Sequence, residues 1–372
     1  MIKIILLDVD GVLVQPTGYR AALRATVNYF IEPPVDIREE TLTELEKRGI
    51  SSEWDMSPLL LASYWTDILS RQPMLNLPSD VFSAAIEIKR QRNVDMAAHL
   101  SVPEFHLVGE QYPAETAFNA GCFTSIPTHL RRNLLTETRN IHRSHTMRIF
   151  QHFTLGSKQF TETYNLPQEF ETEPFLLRHD ISNINDEIRA KLYQSNYHLA
   201  AFTSRPSRPP CEIGESILGY APEAELALEL VGLSNIPLIA FGKLEYLASQ
   251  YGLDPAALVK PSAVQALAAV LAAWTGEEWP ALQAANHWRE TGSLNGMFGQ
   301  LPKAFELIIV EDTMGGIHSV RAAGEVLKIA GFDVKIHAIG LTSGNPAKAS
   351  AFEHAGVQYF PDWKSLINGI GL

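Results

Sequence analysis

"KIILLDVDGVL", residues 3–13, runs from apolar residues straight into two carboxylates. The apolar run at residues 4–7 predicts a strand that is buried on both faces. Asp8, Asp10 and Gly11 follow it. Open α/β sheets place their ligands beyond the carboxyl ends of the strands, so we expect a functional site here. Because two carboxylates so close together repel each other, we also expect a hard divalent cation with oxygen ligands beside them.

The composition is that of a globular protein large enough for two domains. The chain has 372 residues, of which 46% are hydrophobic and 19% charged. Its formal net charge of -12 argues against nucleic acid or an anionic membrane as a partner. Cys122 and Cys211 lie far apart, which supports neither a disulfide framework nor a zinc site. The first strand leaves no room for a signal peptide, and no apolar stretch reaches the roughly 18 residues of a membrane span, so we expect a cytoplasmic protein.

Further apolar runs end in polar residues in the same way as the first. They lie at residues 198–202, 236–241 and 307–310, and their length and composition suit parallel strands. Helical patterns lie between some of them, at residues 184–196 and 263–274. This alternation predicts an α/β fold with a doubly wound, Rossmann-like parallel sheet.

The region of residues 16–184 differs in kind from the rest of the chain. It contains helical stretches and several prolines, but no apolar run that ends in a carboxylate. We therefore expect a core formed by residues 1–15 and 185–372, with residues 16–184 as a mainly helical domain inserted after the first motif.

A group of histidines within the insertion raises the question of a metal site. His145 and His152 could share one face of a helix. No carboxylate or cysteine accompanies them at ligand spacing, so a packed or solvated helix face is the favoured interpretation.

A second acidic motif occurs late in the chain, in "LIIVEDTMGGIHSVRAAG", residues 307–324. Its apolar run ends in Glu311 and Asp312, and Gly315 and Gly316 are expected to let the chain turn sharply into the next helix. Mg²⁺ takes six oxygens in a tight octahedron, which two or three carboxylates, water and a substrate phosphate can supply. The alternative is a capped helix start, in which Asp312 or the next residue accepts hydrogen bonds from backbone amides.

Two weaker elements lie between the acidic motifs. Thr203 and Ser204 follow a predicted strand in "AAFTSRPSRPP", and hydroxyl and N–H groups at such a turn can hold phosphate oxygens. Lys260 precedes a predicted helix in "ALVKPSAVQAL". Taken singly, the first is an ordinary turn and the second an ordinary surface lysine.

Taken together and in this order, the four elements resemble the motifs of the haloacid dehalogenase-like (HAD) superfamily of phosphohydrolases. The resemblance covers residues 1–15 and about 185–372, and the insertion resembles an enlarged form of the family's type 1 helical cap. It rests on these residues: Asp8, Asp10, Gly11, Thr203, Lys260, Glu311 and Asp312.

The resemblance implies a reaction through a covalent intermediate. Asp8 would attack phosphorus to form an aspartyl-phosphate, and Asp10 would protonate the leaving group and then deprotonate water. Mg²⁺ would be bound by Asp8, by the main-chain carbonyl of Asp10, by Asp312, and by Glu311 directly or through water. Thr203, Ser204 and Lys260 would hold the phosphoryl oxygens.

The resemblance also implies the partner, a small phosphate ester whose leaving group is read by the cap. The acid at Asp10 argues against a dehalogenase, since halide needs no proton. A phosphonatase needs an imine-forming lysine, and nothing singles out Lys47, Lys89 or Lys158. Two other functions remain as alternatives, a phosphomutase and a non-catalytic binding protein. The insertion has an alternative role as well, since it could form a homodimer interface and not read the substrate.

Overall fold

A computed structural model describes residues 2–90, 101–214, 218–294 and 296–370. Its strands are β1 (Lys3–Leu7), β2 (Val14–Gln15), β3 (Ile181–Ser182), β4 (Tyr197–Phe202), β5 (Leu238–Ile239), β6 (Ala304–Glu311), β7 (Asp333–Leu341) and β8 (Gln358–Phe360). Its helices are α1 (Thr17–Tyr29), α2 (Glu39–Lys47), α3 (Glu53–Arg71), α4 (Val81–Lys89), α5 (Pro113–Asn119), α6 (Thr128–Leu135), α7 (His145–Tyr164), α8 (Phe175–His179), α9 (Asp186–Leu192), α10 (Glu223–Leu230), α11 (Phe241–Tyr251), α12 (Ala263–Thr275), α13 (Glu278–Thr291), α14 (Met314–Ile329), α15 (Pro346–His354) and α16 (Trp363–Ile370). Short 3-10 helices cover Cys211–Ile213, Pro255–Ala257 and Gly296–Gln300. Among the described residues, no helix has the length and apolarity that crossing a membrane requires.

The chain divides into two compact units. One comprises Met1–Pro16 and Asp180–Leu372, and the other is Thr17–His179. The second boundary therefore differs from the one expected at residue 184. The reason is that β3 pairs antiparallel with β2, and the Asn183 N–H donates to the Leu13 carbonyl at 2.8 Å.

The first unit contains the predicted parallel sheet. Its six strands follow the order β5-β4-β1-β6-β7-β8, and all of their pairings are parallel. The expected α/β fold class is confirmed. In β1, Leu7 lies opposite Ala201 of β4 and Val310 of β6, so the residues that follow these three positions emerge at the same edge of the sheet.

Both faces of the sheet are covered, as the apolar run of β1 predicts. Ile4 and Leu6 are fully buried in a core with residues of α11, α12, α13 and α14. Ile5 and Leu7 are fully buried on the other face, with residues of α9, α10 and α16. A strand between two helical layers has no solvent-facing side, which explains why its sequence does not alternate.

Two details of the first unit differ from expectation. The strand expected at 236–241 is β5, only two residues long, and helix α11 begins at Phe241. The start of α11 lies close to the preceding loop, since a Cβ on Gly242 would be 1.9 Å from the Ser207 carbonyl oxygen. The glycines of residues 292–303 predict a surface loop, but this stretch contains a 3-10 helix that buries Phe298.

The second unit contains helices joined by irregular segments and, among its described residues 17–90 and 101–179, no strand; it has its own core. Helix α3 is central to it and packs on α1, α5, α6 and α7. Its Trp65 is fully buried, together with Phe30 and Phe150 of neighbouring segments. Helix α7 is kinked at Gly156, whose φ is +73° and whose added Cβ would lie 2.6 Å from the Pro174 nitrogen.

His152, one of the two histidines considered for a metal site, is packed within this unit. The His152 ring is stacked between Phe160 and Phe170, at centroid distances of 4.6 and 4.1 Å, and a ring nitrogen lies 3.1 Å from Ser157 Oγ. Burial lowers the pKa of His152 to about 4. These contacts agree with the interpretation of a packed helix face.

Candidate active site

Three carboxylates meet at the carboxyl ends of β1 and β6. Asp8 follows β1, Glu311 ends β6, and Asp312 comes next. Each offers an oxygen within 4.8 Å of the other two, and all three residues are buried. The Asp8 N–H donates to the Val310 carbonyl at 3.0 Å, which continues the pairing of the strands to the edge of the site. The structure thus brings together the two acidic motifs, which are separated by about 300 residues of sequence.

Lys260 provides the cation between these carboxylates. Its Nζ lies 2.8 Å from Asp8 Oδ1 and 2.7 Å from Glu311 Oε2, and 4.3 Å from the centre of the Phe202 ring. The side chain is 8% exposed. Burial acts to lower the pKa of Lys260, but the charges of Asp8 and Glu311 outweigh it and raise that pKa above its usual value. Lys260 is therefore a fixed positive charge.

The backbone of Lys260 is held by Gln265, a residue to which the sequence patterns gave no role. Gln265 Oε1 accepts from the Lys260 N–H at 3.0 Å. Its Nε2 donates to the carbonyls of Thr203 at 2.8 Å and Ile239 at 3.0 Å. Gln265 is fully buried, and the available signal was a single amide in the otherwise apolar start of α12.

Glu311 is oriented by the turn that follows it. Its Oε1 accepts from Thr313 Oγ1 at 2.9 Å and from the N–H groups of Asp312 and Thr313 at 3.2 Å. This leaves Oε2 to face Lys260. Thr313 is the N-cap residue of α14 but makes no side-chain capping bond, so the alternative of a helix start capped by Thr313 is not supported.

The two glycines after this motif do not form the expected sharp turn, because both lie inside α14. Gly316 instead provides space: an added Cβ would be 1.7 Å from Glu311 Oε2. Gly11 does adopt a left-handed conformation, with φ +73°, and its added Cβ would lie 2.2 Å from Asp312 Oδ2. Glycine at these two positions lets backbone approach the carboxylates closely.

The carboxylates are more numerous than the lysines that face them. Lys348, which no sequence pattern identified, donates to Asp312 Oδ2 from α15. Burial, followed by the charge of Asp8, raises the pKa values of Glu311 and Asp312. Three carboxylates facing two lysines leave one negative charge unbalanced when all are ionised, which favours the binding of a further cation.

The carboxylate of Asp10 lies outside this group of three. Arg205 Nε donates to Asp10 Oδ1 at 2.8 Å and Oδ2 at 3.0 Å, and Nη2 donates to Oδ1 at 2.6 Å. The same Nη2 donates to Asp180 Oδ2 at 2.9 Å. The side chain of Asp10, to which the resemblance assigns proton transfer, is therefore paired with an arginine, and its expected main-chain role at a metal stays a prediction.

The two predicted phosphate-binding hydroxyls differ in their surroundings. Thr203 is buried, and its Oγ1 accepts from the Arg205 N–H at 3.2 Å. A hydroxyl that accepts one bond can still donate its own proton to a ligand. Ser204 is exposed. Phosphate binding by Thr203 and by Ser204 remains a prediction.

A second group of potential metal ligands has a structural explanation. The side chains of Cys211, Glu212 and Glu278 lie close together. The two carboxylates, however, accept hydrogen bonds from backbone N–H groups. Glu212 accepts from the N–H groups of Glu278 and Trp279 at the start of α13. Glu278 accepts from Cys211 and from Leu238 of β5. These bonds fasten α13 to the edge of the sheet.

Comparisons with known proteins show the fold alone. No family model and no curated protein matches the chain. A similar fold occurs in a chain whose crystal structure was determined by the Northeast Structural Genomics Consortium and which is described only as a target of that consortium. The TM-score is 0.67 at 16% sequence identity, over 100% of this chain and 98% of the other.

Proposed function

We propose that this chain is a HAD-like, magnesium-dependent phosphatase that hydrolyses a small phosphorylated metabolite. The observation that carries the proposal is Lys260 bridging Asp8 and Glu311 at the end of the central strand, with Asp312 beside them. This arrangement combines a carboxylate nucleophile, a fixed cation for phosphoryl oxygens and a set of hard oxygen ligands.

The donor set fits magnesium. Asp8, Glu311 and Asp312 offer closely spaced carboxylate oxygens, which are the ligands that Mg²⁺ prefers, and they retain a net negative charge beside the lysines. When bound, the ion would neutralise charge on the phosphate so that an anionic carboxylate can approach it. The raised pKa values of Glu311 and Asp312 indicate how unfavourable the bare cluster is without such a cation.

The residues of the chain supply the remaining chemistry. Asp8 attacks phosphorus, the bond to the ester oxygen breaks, and an aspartyl-phosphate forms. Asp10 gives a proton to the departing oxygen and then takes one from the water that hydrolyses the intermediate. Lys260 and Thr203 hold the phosphoryl oxygens as negative charge spreads over them. Ser204 is the weakest member of this set because it is exposed.

The proposed setting is the cytoplasm. Cys122 and Cys211 are both free thiols, which suits a reducing compartment, and the acidic chain suits a small diffusible substrate better than nucleic acid.

The proposal is tested by measuring phosphate release from a panel of phosphorylated metabolites and from p-nitrophenyl phosphate, with Mg²⁺ and with a chelator. We expect magnesium-dependent turnover of at least one ester, together with an acid-stable phosphate label on the wild-type protein that Asp8→Asn lacks. Isomerised phosphate esters instead of free phosphate would indicate a mutase. No turnover and no label with any ester would favour a non-catalytic binding protein.

A further inference from the structure

Asp10 is a partly exposed carboxylate that is bonded to a buried arginine, Arg205. The Arg205 side chain is 1% exposed, whereas that of Asp10 is 35% exposed. Asp10 is held at both oxygens, so its rotation is restricted as well as its charge balanced. An exposed aspartate without such a partner would sample several rotamers.

Arg205 is itself fixed from several directions. Asp180, whose side chain is fully buried, accepts from Arg205 Nη2. The Arg205 N–H donates to Thr203 Oγ1, and the Arg205 carbonyl accepts from the Phe241 N–H at 3.0 Å. The guanidinium therefore has a fixed plane, and that plane fixes the carboxylate of Asp10.

We propose that Arg205, held by Asp180, is the positioning residue for proton transfer by Asp10. The inference rests on the proposed function. Asp10 takes up a proton from solvent before the ester oxygen leaves. When it gives that proton to the oxygen as the bond to phosphorus breaks, a carboxylate remains, and Arg205 stabilises it while staying protonated itself. When water attacks the aspartyl-phosphate, the same carboxylate takes the proton of that water. A group that stabilises the product of proton donation favours the transition state over the ground state.

This role predicts a dependence on the leaving group that a purely structural arginine would not produce. An alkyl phosphate has a basic leaving oxygen that must be protonated as it departs, whereas p-nitrophenolate leaves readily without a proton. The ratio kcat/KM reports events up to the first irreversible step, here transfer of phosphate to Asp8. Disturbing the position of Asp10 should therefore lower kcat/KM mainly for the alkyl ester.

The experiment compares kcat/KM for the best alkyl phosphate and for p-nitrophenyl phosphate in the full-length protein. Arg205→Lys keeps the positive charge that balances Asp180 but loses the planar guanidinium that donates hydrogen bonds to both oxygens of Asp10. We expect it to lower kcat/KM by at least about tenfold for the alkyl ester and by less than about threefold for the aryl ester. Asp10→Asn should show the same selectivity more strongly.

Two further variants keep the test decisive. Asp180→Asn preserves the volume of the buried partner and should give a weaker loss with the same selectivity, so it replaces Arg205→Lys if that variant does not fold. Arg189→Lys is the matched control, because Arg189 bonds the Val231 carbonyl and Asp186 on α9 and should leave both rates unchanged.

The outcomes separate the two proposals. An equal loss on both esters, or no loss in a folded Arg205→Lys protein, would overturn the positioning role while leaving the phosphatase intact. If the wild type hydrolyses neither ester with Mg²⁺, the proposed function fails, and the positioning role fails with it.

Discussion

Gly316 lies directly against the carboxylate of Glu311: an added Cβ would be 1.7 Å from Oε2, the oxygen that bonds Lys260. The first turn of α14 and the candidate site therefore share one closely packed space. Gly315, its neighbour on the same helix, has no such constraint, since its added Cβ would meet nothing nearer than Thr313 Oγ1 at 3.9 Å.

This pair of glycines gives a matched comparison. Gly316→Ala should displace Glu311 and Lys260, lower stability by about 1–3 kcal/mol and reduce phosphate release by more than about tenfold. Gly315→Ala should leave phosphate release unchanged, because its added Cβ makes only ordinary van der Waals contact, and should leave stability equal or slightly higher, because alanine favours helix over glycine. Denaturant unfolding and kcat/KM check both variants. Equal unfolding free energies and equal kcat/KM values in the two variants would contradict close packing of Gly316 against Glu311.

Replacing the candidate nucleophile should abolish turnover. Asp8→Asn substitutes an amide, which is a poor nucleophile, and removes one of the two carboxylates that face Lys260. We expect no detectable phosphate release from a folded variant, whereas Asp333→Asn, at an exposed position of β7, should behave as wild type. Near-normal turnover in folded Asp8→Asn would remove the proposed mechanism.

The amide of Gln265 should support both stability and catalysis. Gln265→Leu leaves the Lys260 N–H and the Thr203 carbonyl without this partner, while the Ile239 carbonyl keeps the Thr203 N–H. We expect a loss of about 2–6 kcal/mol in unfolding free energy, since each of the two buried groups left without a partner costs about 1–3 kcal/mol, and a lower kcat/KM. The control is Gln250→Leu, on the exposed side of α11. An unchanged kcat/KM would show that Gln265 does not position Lys260.

Metal binding should release protons. Burial and the charge of Asp8 raise the pKa of Glu311 to about 8 and also raise the pKa of Asp312, so protons compete with a cation for these carboxylates. Mg²⁺ affinity should therefore rise with pH as Glu311 ionises. Calorimetric titration in two buffers of different ionisation enthalpy measures the release directly.

Activity should require Mg²⁺, tolerate Mn²⁺ or Co²⁺, and fall with Ca²⁺, whose coordination is larger and looser. Full activity in excess chelator would refute the metal requirement.

His152 should make the helical unit sensitive to acid. Its folded pKa is lowered to about 4 from 6.5, so its contribution to stability is present above pH 6.5 and is lost as pH falls toward 4. The full contribution is about 3 kcal/mol, from about 1.4 kcal/mol per pKa unit. His152→Phe should flatten the dependence of unfolding free energy on pH in this window, and the exposed control His142→Phe should not. If unfolding free energy still falls with pH in His152→Phe as it does in the wild type, other groups are responsible for the pH dependence.

The sequence by itself determined the α/β class of the fold and the polar residues that follow its central strands. Apolar runs such as residues 4–7 are too continuous for a half-exposed strand, so burial on both faces and a parallel sheet follow from pattern alone. The edge at which Asp8, Glu311 and Asp312 meet also follows, because parallel strands all end on the same side. The length of β5 did not follow, since it depends on how closely α11 approaches the loop at Ser207.

What only the tertiary structure decided is the direction and partner of each polar side chain. Lys260 and Asp8 are 252 positions apart, and Arg205 and Asp10 are 195 apart, so no local pattern relates them. Asp10 was predicted as the acid–base group without a partner, and the fold places a buried arginine, itself held by Asp180, within its reach. Periodicity reports which face of an element is buried. It does not report which charge lies opposite, because that depends on strand order and on loops that bring distant segments together.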